Sequence, residues 1–227
     1  MARTFDLEAH SLRREAFTDA AQRLIQTRGY EQLSLQDVID EVGASKGAFY
    51  HYFSSKETLL EAVIERMTDA ALEVMTPIAN DRELTAIAKL QLVFTTLAAW
   101  KGERKEFFVE LIEVWLSADN SVVREHFRSR VTGRILPLLT TIVRQGAAEG
   151  SFTPTSPDGA AAVVVALMLG LNELATQLFL ARQANSVTFD EVVTTLAAYT
   201  EAFERILGLP AGSWAMLDDA TLHTWYD

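Results

Sequence analysis

Cysteine is absent from this chain of 227 residues, and glycine and proline are scarce, with 11 and 5 copies. Without cysteine there is no disulfide, no thiolate metal ligand and no thiol nucleophile. So few turn-forming residues do not suit a β-sandwich or a β-barrel. The first twelve residues carry charges at Arg3, Asp6 and Glu8 where a secretory leader would be apolar, so we expect a cytoplasmic protein.

An overall basic charge is missing as well. The formal net charge is −11, and neither the first 60 residues nor the remainder is basic. Because non-specific DNA binding depends on Lys and Arg neutralising phosphates, this charge argues against a general nucleic-acid coat. The segment from Gly43 to Lys56 differs, since it has no carboxylate and holds Lys46, His51 and Lys56. Any contact with DNA is expected there.

Signatures of catalysis are missing too. The four histidines, at positions 10, 51, 126 and 223, never pair at helical spacing, and no Glu-x-x-His occurs. There is no glycine-rich phosphate loop and no G-x-S-x-G nucleophile elbow. We therefore expect no enzyme, no metal site and no cofactor, with a helical-bundle enzyme built on scattered glutamates as the alternative.

Helical periodicity dominates what is present, so we predict an all-α fold. Pro77 should end the fourth helix and Pro137 should bend the seventh, because proline lacks an N–H and crowds the preceding turn. Residues 159–171 are uncharged but too few to span a membrane, which takes about 20, so a buried helix without membrane contact is expected there. The predicted helices lie near residues 12–25, 34–42, 45–52, 55–75, 84–100, 105–116, 122–148, 158–181 and 189–207.

Two of these helices are short and separated by a turn of about three residues that contains Gly43. Ser34 stands three residues before Asp37, as in a capping box, and Ser45 can cap the second helix. This spacing is typical of a helix-turn-helix, whose second helix lies in the major groove of DNA. The candidate DNA-binding residues are Ser34, Gln36, Ser45, Lys46, Gly47, Ala48, Tyr50, His51 and Lys56.

These residue types suit contact with double-stranded DNA. Gly47 and Ala48 are small enough to let the backbone approach the bases, and Ala48 can touch a thymine methyl group. Lys46, Tyr50 and His51 can reach phosphate oxygens. The charge of the lysine at position 56 adds to this surface, and the serine and glutamine at positions 34 and 36 can contact phosphates from the first helix of the pair. Buried positions are expected for the phenylalanines at 49 and 53.

The run from Ser34 to Leu60 resembles the DNA-binding segment of the TetR family of bacterial transcriptional regulators. The resemblance is carried by Gly43, Ser45-Lys46-Gly47, Tyr50-His51-Tyr52-Phe53 and Lys56-Glu57. It implies a homodimeric, all-helical protein whose C-terminal domain binds a small molecule and thereby releases operator DNA. We accordingly expect a three-helix DNA-binding domain at residues 1–58, a ligand-binding and dimerisation domain at 59–207, and a tail of unknown role at 208–227.

Narrow apolar seams mark the last two long helices. Their leucines and aromatics recur at spacings of 4 and 3 residues, which suits near-parallel helix packing. We predict a two-fold dimer through a four-helix bundle, with packing inside one chain as the alternative. The candidate interface residues are Leu167, Leu171, Leu174, Leu178, Val192, Leu196, Tyr199 and Phe203.

Aromatic bulk on the central helices suggests a ligand pocket, since such pockets are mostly apolar with a few polar groups. Plain core packing is the alternative. A cavity-facing Glu110 or Glu113 would favour a cationic aromatic effector, and solvent-facing glutamates a neutral hydrophobic one. The candidate pocket residues are Phe94, Phe108, Ile112, Trp115, Met168 and Asn172.

These patterns together predict a ligand-responsive repressor that binds an inverted-repeat operator. Two other functions stay open. An architectural DNA-binding protein would act without ligand control, although the charge of −11 and the large apolar C-terminal part count against it. A helical small-molecule carrier would use the helix-turn-helix only as structure.

Overall fold

The computed structural model describes residues 2–116 and 120–226, and within these ranges the fold is entirely helical. The all-α prediction is therefore confirmed. The helices are α1 (Ala2–Arg28), α2 (Leu35–Val42), α3 (Lys46–Tyr52), α4 (Lys56–Asn80), α5 (Ala86–Gly102), α6 (Lys105–Leu116), α7 (Ser121–Glu149), α8 (Pro157–Gln183), α9 (Phe189–Leu207) and α10 (Asp219–Tyr226).

Hydrogen-bonded caps fix the limits of the two short helices. The Oγ of Ser34 accepts the N–H of Asp37 at 3.1 Å, and the Asp37 carboxylate accepts the N–H of Ser34 at 3.0 Å. The Ser34 hydroxyl also donates to the Asp37 carboxylate, and this bond, together with that from the Ser34 N–H, holds the pKa of Asp37 below its usual value. Gly43 ends α2 in the left-handed conformation with φ of +63°, and Ser45 caps α3 by accepting the N–H of Ala48 at 3.1 Å. The predicted helix, turn and helix are thus set by local interactions.

The chain forms two compact units. Unit 1 comprises Met1–Asp69 and Glu106–Phe127, and unit 2 comprises Ala70–Lys105 and Arg128–Asp227. The boundaries between the units fall within α4, after the first residue of α6 and within α7. Unit 1 is therefore larger than the expected domain at residues 1–58, because it includes a longer part of α4 and most of α6.

Aromatic side chains fill the core of unit 1. Phe17 of α1 packs edge-on against Phe49 of α3 with ring centroids 5.4 Å apart, and Phe49 lies 5.7 Å from Phe53. All three rings are buried, together with Leu59 and Val63 of α4. The expected burial of the two phenylalanines at 49 and 53 is confirmed, and α3 is anchored through this single face.

The core of unit 2 includes residues from the segment 208–227. Trp214 and Met216 are buried there, and the Trp214 ring packs edge-on against Phe94 at 5.0 Å. The carboxylate of Glu204 is itself buried and accepts the N–H groups of Gly212 at 2.9 Å and Trp214 at 3.0 Å. The tail is therefore an integral part of unit 2, and it ends in α10.

The expectation that Pro77 ends the fourth helix is wrong, because α4 continues through it to Asn80. Met75 and Ala79, on either side of the proline, are buried in the core of unit 2. An internal proline costs about 3 kcal/mol or more, and burial of the neighbouring apolar side chains offsets this cost. Pro137 likewise lies inside α7.

Helix α8 is long and apolar, and among the described residues it alone meets the length and composition needed to cross a membrane. Only 22 % of its most apolar 18-residue stretch is buried inside the chain, so the expectation of a buried helix holds for one face only. Ala162, Val163 and Ala166 are exposed, whereas Val164 and Val165 are buried.

Candidate nucleic-acid interface

The side of α3 opposite its buried phenylalanine presents small and positively charged residues. Ser45, Lys46, Gly47 and Tyr50 are exposed, and Ala48 is half-buried. The ammonium group of Lys46 lies 6.0 Å from the centre of the Tyr50 ring. A helix that is anchored on one face and carries no carboxylate on the other can enter a DNA groove without charge repulsion.

Glycine at position 47 is not required by the fold. A Cβ added to Gly47 would meet only the Oγ of Ser45, at 3.9 Å, and the glycine has no left-handed backbone conformation. Gly29 differs, because its φ is +79° and an added Cβ would come within 2.8 Å of the Glu110 carboxylate. The small residue at position 47 is therefore free to serve contact with a partner.

The predicted contacts of α2 and α4 are more constrained than those of α3. Ser34 is exposed but engaged as the cap of α2, and the side-chain amide of Gln36 donates to the Asp40 carboxylate at 2.7 Å. Lys56 is half-buried, with its ammonium group 4.1 Å from the ring centre of Tyr30. Burial lowers the pKa of Lys56. Lys56 is therefore held by the chain itself, in contrast to the exposed lysine of α3.

Three aromatic rings meet where α1 passes the end of α3. His51 is exposed, and its ring centroid lies 5.5 Å from that of His10 and 5.0 Å from that of Tyr52. The rings of His10 and Tyr52 are 4.6 Å apart. Sequence reasoning missed His10, because no local pattern shows which residue of α1 faces α3.

The six predicted pocket residues are divided between the two units. Phe108, Ile112 and Trp115 belong to unit 1, and Phe94, Met168 and Asn172 belong to unit 2. The contacts of Phe94 are those of a core residue, because its ring packs against Trp214 and against Phe203 at 5.5 Å. For this residue the alternative of plain core packing is the better interpretation.

Asn172 and Glu110, two polar residues considered for the pocket, lie in different surroundings. The ammonium group of Lys101 donates to the Asn172 side-chain oxygen at 2.8 Å, and burial lowers the pKa of Lys101 to about 8. Glu110 is exposed, with its carboxylate beside Gly29. The side chain of Glu113 lies outside the described residues.

The predicted dimer seam is largely used inside the chain. Leu178, Val192, Leu196 and Phe203 are buried in the single chain, so they are not available to a second copy. The other four seam residues are half-buried: Leu167, Leu171, Leu174 and Tyr199. The assignment of the whole seam to a dimer interface is therefore corrected for the four buried residues, and α8 and α9 pack against each other within the chain.

Comparison with known proteins places the helix-turn-helix in a family. Residues 17–63 match the family described as "Bacterial regulatory proteins, tetR family", a segment that runs from the second half of α1 into α4. The uncharacterized HTH-type transcriptional regulator YfiR of Bacillus subtilis (strain 168) is 23 % identical over 207 residues, which are 87 % of this chain and 92 % of YfiR. Three other curated relatives are matched over 31 % to 55 % of their own length.

Solved structures share the fold over most of the chain. A TetR transcription regulator from Haloarcula marismortui ATCC 43049 has a TM-score of 0.62 at 20 % identity, over 87 % of this chain and 99 % of its own. RolR, solved without ligand, has a TM-score of 0.60 at 14 % identity, over 92 % of this chain and 95 % of its own. At these identities the likeness concerns the fold.

The fold is helical, and α3, the second helix of the turn-linked pair α2 and α3, has an exposed face. These features define a helix-turn-helix transcriptional regulator. The matched segment includes both helices of the pair, the turn between them and the residues on which the resemblance rested. The DNA-binding segment of the chain, residues 17–63, matches the TetR family of bacterial regulatory proteins, and the chain is similar over most of its length to a regulator of the helix-turn-helix type.

Proposed function

We propose that this regulator is a repressor that binds an inverted-repeat operator as a homodimer and leaves it when a small molecule binds to unit 2. The observation that carries the DNA-binding part is α3, which exposes Lys46, Gly47 and Tyr50 on a helix without a carboxylate. Its buried face fixes its orientation in unit 1. The first turn of α3 then contacts the bases directly, and Lys46, Tyr50 and His51 contact phosphates.

Dimerisation is supported by the exposed apolar face of α8. Ala162, Val163 and Ala166 lie exposed on this helix, and Ala197 and Ala198 lie exposed on the neighbouring α9. A second copy of the chain is the natural partner, because a two-fold axis places the same apolar patch opposite itself. The two helices from each chain would form a four-helix bundle, and small side chains allow close approach.

The effector of our proposal is a small hydrophobic molecule, one of the two classes expected from the sequence. Glu110 lies exposed in unit 1, so it offers no desolvated carboxylate for the other class, a cationic aromatic molecule. A ligand bound in unit 2 would need polar groups to orient it. The hydrogen-bonded pair of Lys101 and Asn172 supplies such groups there.

DNA binding is tested by selecting duplexes from random DNA with the full-length protein and measuring their affinity as a function of salt. We expect an inverted repeat with half-sites about one helical turn or somewhat more apart. Lys46→Ala should reduce the slope of log affinity against log salt by about 0.9 for each lost phosphate contact. Ala48→Asp should abolish binding, whereas Ala148→Asp, at an exposed position of α7, should leave it unchanged.

Other outcomes of this selection identify the competing functions. Binding without any sequence preference, unaffected by small molecules, would mean an architectural protein. A failure to bind any duplex would mean a carrier in which the helix-turn-helix is only structural. Increased transcription from a template carrying the selected operator would contradict repression.

Ligand control is tested by titrating hydrophobic and cationic aromatic compounds while tryptophan fluorescence and operator affinity are followed together. A coupling free energy of about 1 to 3 kcal/mol corresponds to a 5-fold to 150-fold loss of operator affinity. Helix α4 is the element through which we expect the response, since it contributes Leu59 to the core of unit 1 and Met75 to that of unit 2. Quenching with unchanged operator affinity would contradict the proposed switch.

A further inference from the structure

Two of the four histidines of the chain meet at the edge of the proposed DNA-binding surface. His10, on α1, is exposed and precedes the matched family segment, which begins at residue 17. Its ring centroid lies 5.5 Å from that of the exposed His51 and 4.6 Å from that of Tyr52. The fold thus adds an imidazole from α1 to the phosphate-contacting end of α3.

We propose that His10 is a further DNA contact and that it forms with His51 a proton-binding pair, so that the protein takes up protons when it binds its operator. The inference rests on the proposed function, since it assigns His51 to the DNA interface. Both rings are exposed, and a protonated imidazole donates from both ring nitrogens. Each ring can therefore donate a charge-assisted hydrogen bond to a phosphate oxygen.

The helices that carry or pack beside the pair hold charged groups of both signs. Helix α3 carries Lys46 and no carboxylate. On α1, the guanidinium of Arg14 lies 5.3 Å from the ring centre of Phe53 and 3.9 Å from the carboxylate of Glu65 in α4. Glu15 accepts a hydrogen bond from the hydroxyl of Ser11 at 3.2 Å.

One further carboxylate precedes the pair in sequence. Asp6 stands one helical turn before His10, and its side chain lies outside the described residues. An ion pair between these two residues would be a second source of pH dependence, so the experiment has to separate the two sources.

The phosphates of a bound duplex favour a positive charge on both rings in the complex. Two imidazolium groups at this separation repel each other, and the phosphates of a bound duplex compensate that repulsion. Histidine changes its charge between about pH 5 and 8. Because the complex holds the protons more tightly than the free protein does, the added affinity is present at low pH and is lost as the pH rises through this range.

The experiment measures operator affinity from pH 5.5 to 8.5 at constant ionic strength, with the full-length protein and a duplex selected from random DNA. Uptake of one proton gives about a tenfold loss of affinity per pH unit. We expect the parent protein to lose at least about tenfold between pH 6 and 8. His10→Gln should lose about half of this slope, and the double variant with His51→Gln should show almost none.

Two control variants make the result specific. His126→Gln removes an exposed histidine of unit 1 that lies 2.9 Å from the Glu61 carboxylate, and it should keep the parent slope. Asp6→Asn should also keep the parent slope. Circular dichroism at each pH verifies that every variant remains folded.

Results against the inference differ from results against the proposed function. A flat pH profile of the parent, equal slopes for the parent and His10→Gln, or a slope abolished by Asp6→Asn would each overturn the histidine pair while operator binding stands. A protein that selects no duplex at any pH would overturn the proposed function, and the inference with it.

Discussion

At the scale of single residues, Gly47 separates the needs of folding from those of binding. An added Cβ would meet only the Ser45 hydroxyl oxygen at 3.9 Å, so Gly47→Ala should not lower stability and should raise it by up to about 1 kcal/mol. The same methyl group would stand between α3 and the bases, so we expect weaker operator binding. Thermal unfolding and operator affinity, measured on the same sample, check both expectations.

Gly133→Ala is the matched control for this substitution. Gly133 lies inside α7, and an added Cβ there would have no neighbour within 4 Å. This variant should gain comparable stability and bind the operator as the parent does. Unchanged operator affinity in Gly47→Ala would remove position 47 from the DNA interface.

Lys101 gives stability a pH dependence at alkaline pH. Burial lowers the pKa of Lys101 to about 8, whereas an unfolded lysine titrates near pH 10.4. Between these values the unfolded chain binds the extra proton, so the free energy of unfolding should rise with pH, by at most about 1.4 kcal/mol per unit. The stability that deprotonation of Lys101 adds at higher pH is absent below pH 8.

Urea unfolding between pH 7 and 10 tests the contribution of Lys101. In Lys101→Met the rise should be smaller than in the parent protein, because the titrating group is gone. Lys46→Met removes an exposed lysine of α3 and should keep the rise of the parent. Parallel curves for the parent and Lys101→Met would show that this lysine titrates alike in both states.

At the scale of elements, the tail depends on one buried carboxylate. Glu204 of α9 accepts the N–H groups of Gly212 and Trp214. Glu204→Ala would leave two backbone donors without a partner. Gly212 is exposed to water, so the buried N–H of Trp214 is the one that stays unsatisfied, at a cost of about 1 to 3 kcal/mol. We expect a loss of about 1 to 3 kcal/mol in the free energy of unfolding. Glu201→Ala, at an exposed position of the same helix, should stay within about 0.5 kcal/mol of the parent.

The fluorescence of Trp214 reports whether this loss arises in the tail. The ring is buried against Phe94 and Phe203, so release of the tail would expose it to water and shift its emission to longer wavelength. Native-like emission in a Glu204→Ala protein of unchanged stability would show that the aromatic contacts suffice to hold the tail.

Sequence predicted those elements whose limits depend on near neighbours. The capping box of Ser34 and the left-handed Gly43 act within a few residues, so α2, the turn and α3 were predictable. The continuation of α4 beyond Pro77 and the attachment of the tail through Glu204 depend on distant packing, which local patterns do not contain. The position of His10 beside α3 was likewise not predictable, because it depends on how α1 and α3 cross.

The seam of α8 and α9 shows a different limit of sequence reasoning. Spacings of 4 and 3 residues suited near-parallel helix packing, and α8 and α9 do pack against each other within the chain. They did not show whether the facing helix belongs to the same chain, because both arrangements need the same pattern. The buried Val192 and Leu196 belong to the intrachain arrangement, and the exposed Val163 marks the face that remains.

At the scale of the whole molecule, dimerisation through that remaining face is the main prediction. Ala166→Arg places a long charged side chain on the exposed side of α8, so we expect it to weaken the dimer by at least tenfold and to leave each chain folded. Ala148→Arg makes the same change at an exposed alanine of α7 and should not affect assembly. Sedimentation equilibrium at micromolar concentration, with circular dichroism as the test of folding, measures both.

A parent protein that sediments as a monomer at micromolar concentration would contradict the dimer. An intact dimer of Ala166→Arg would instead show that the two chains meet elsewhere. Because inverted repeats are read by two recognition helices together, we also expect Ala166→Arg to bind the operator more weakly.

The buried position of Trp214 and Met216 has a consequence during translation. These side chains complete the core of unit 2, yet they follow every other buried residue of that core in the chain. The helix-turn-helix can therefore fold on the ribosome while unit 2 is still incomplete. A message truncated before codon 214 would yield a regulator with a folded DNA-binding end and an open core, which cellular proteases would be expected to remove.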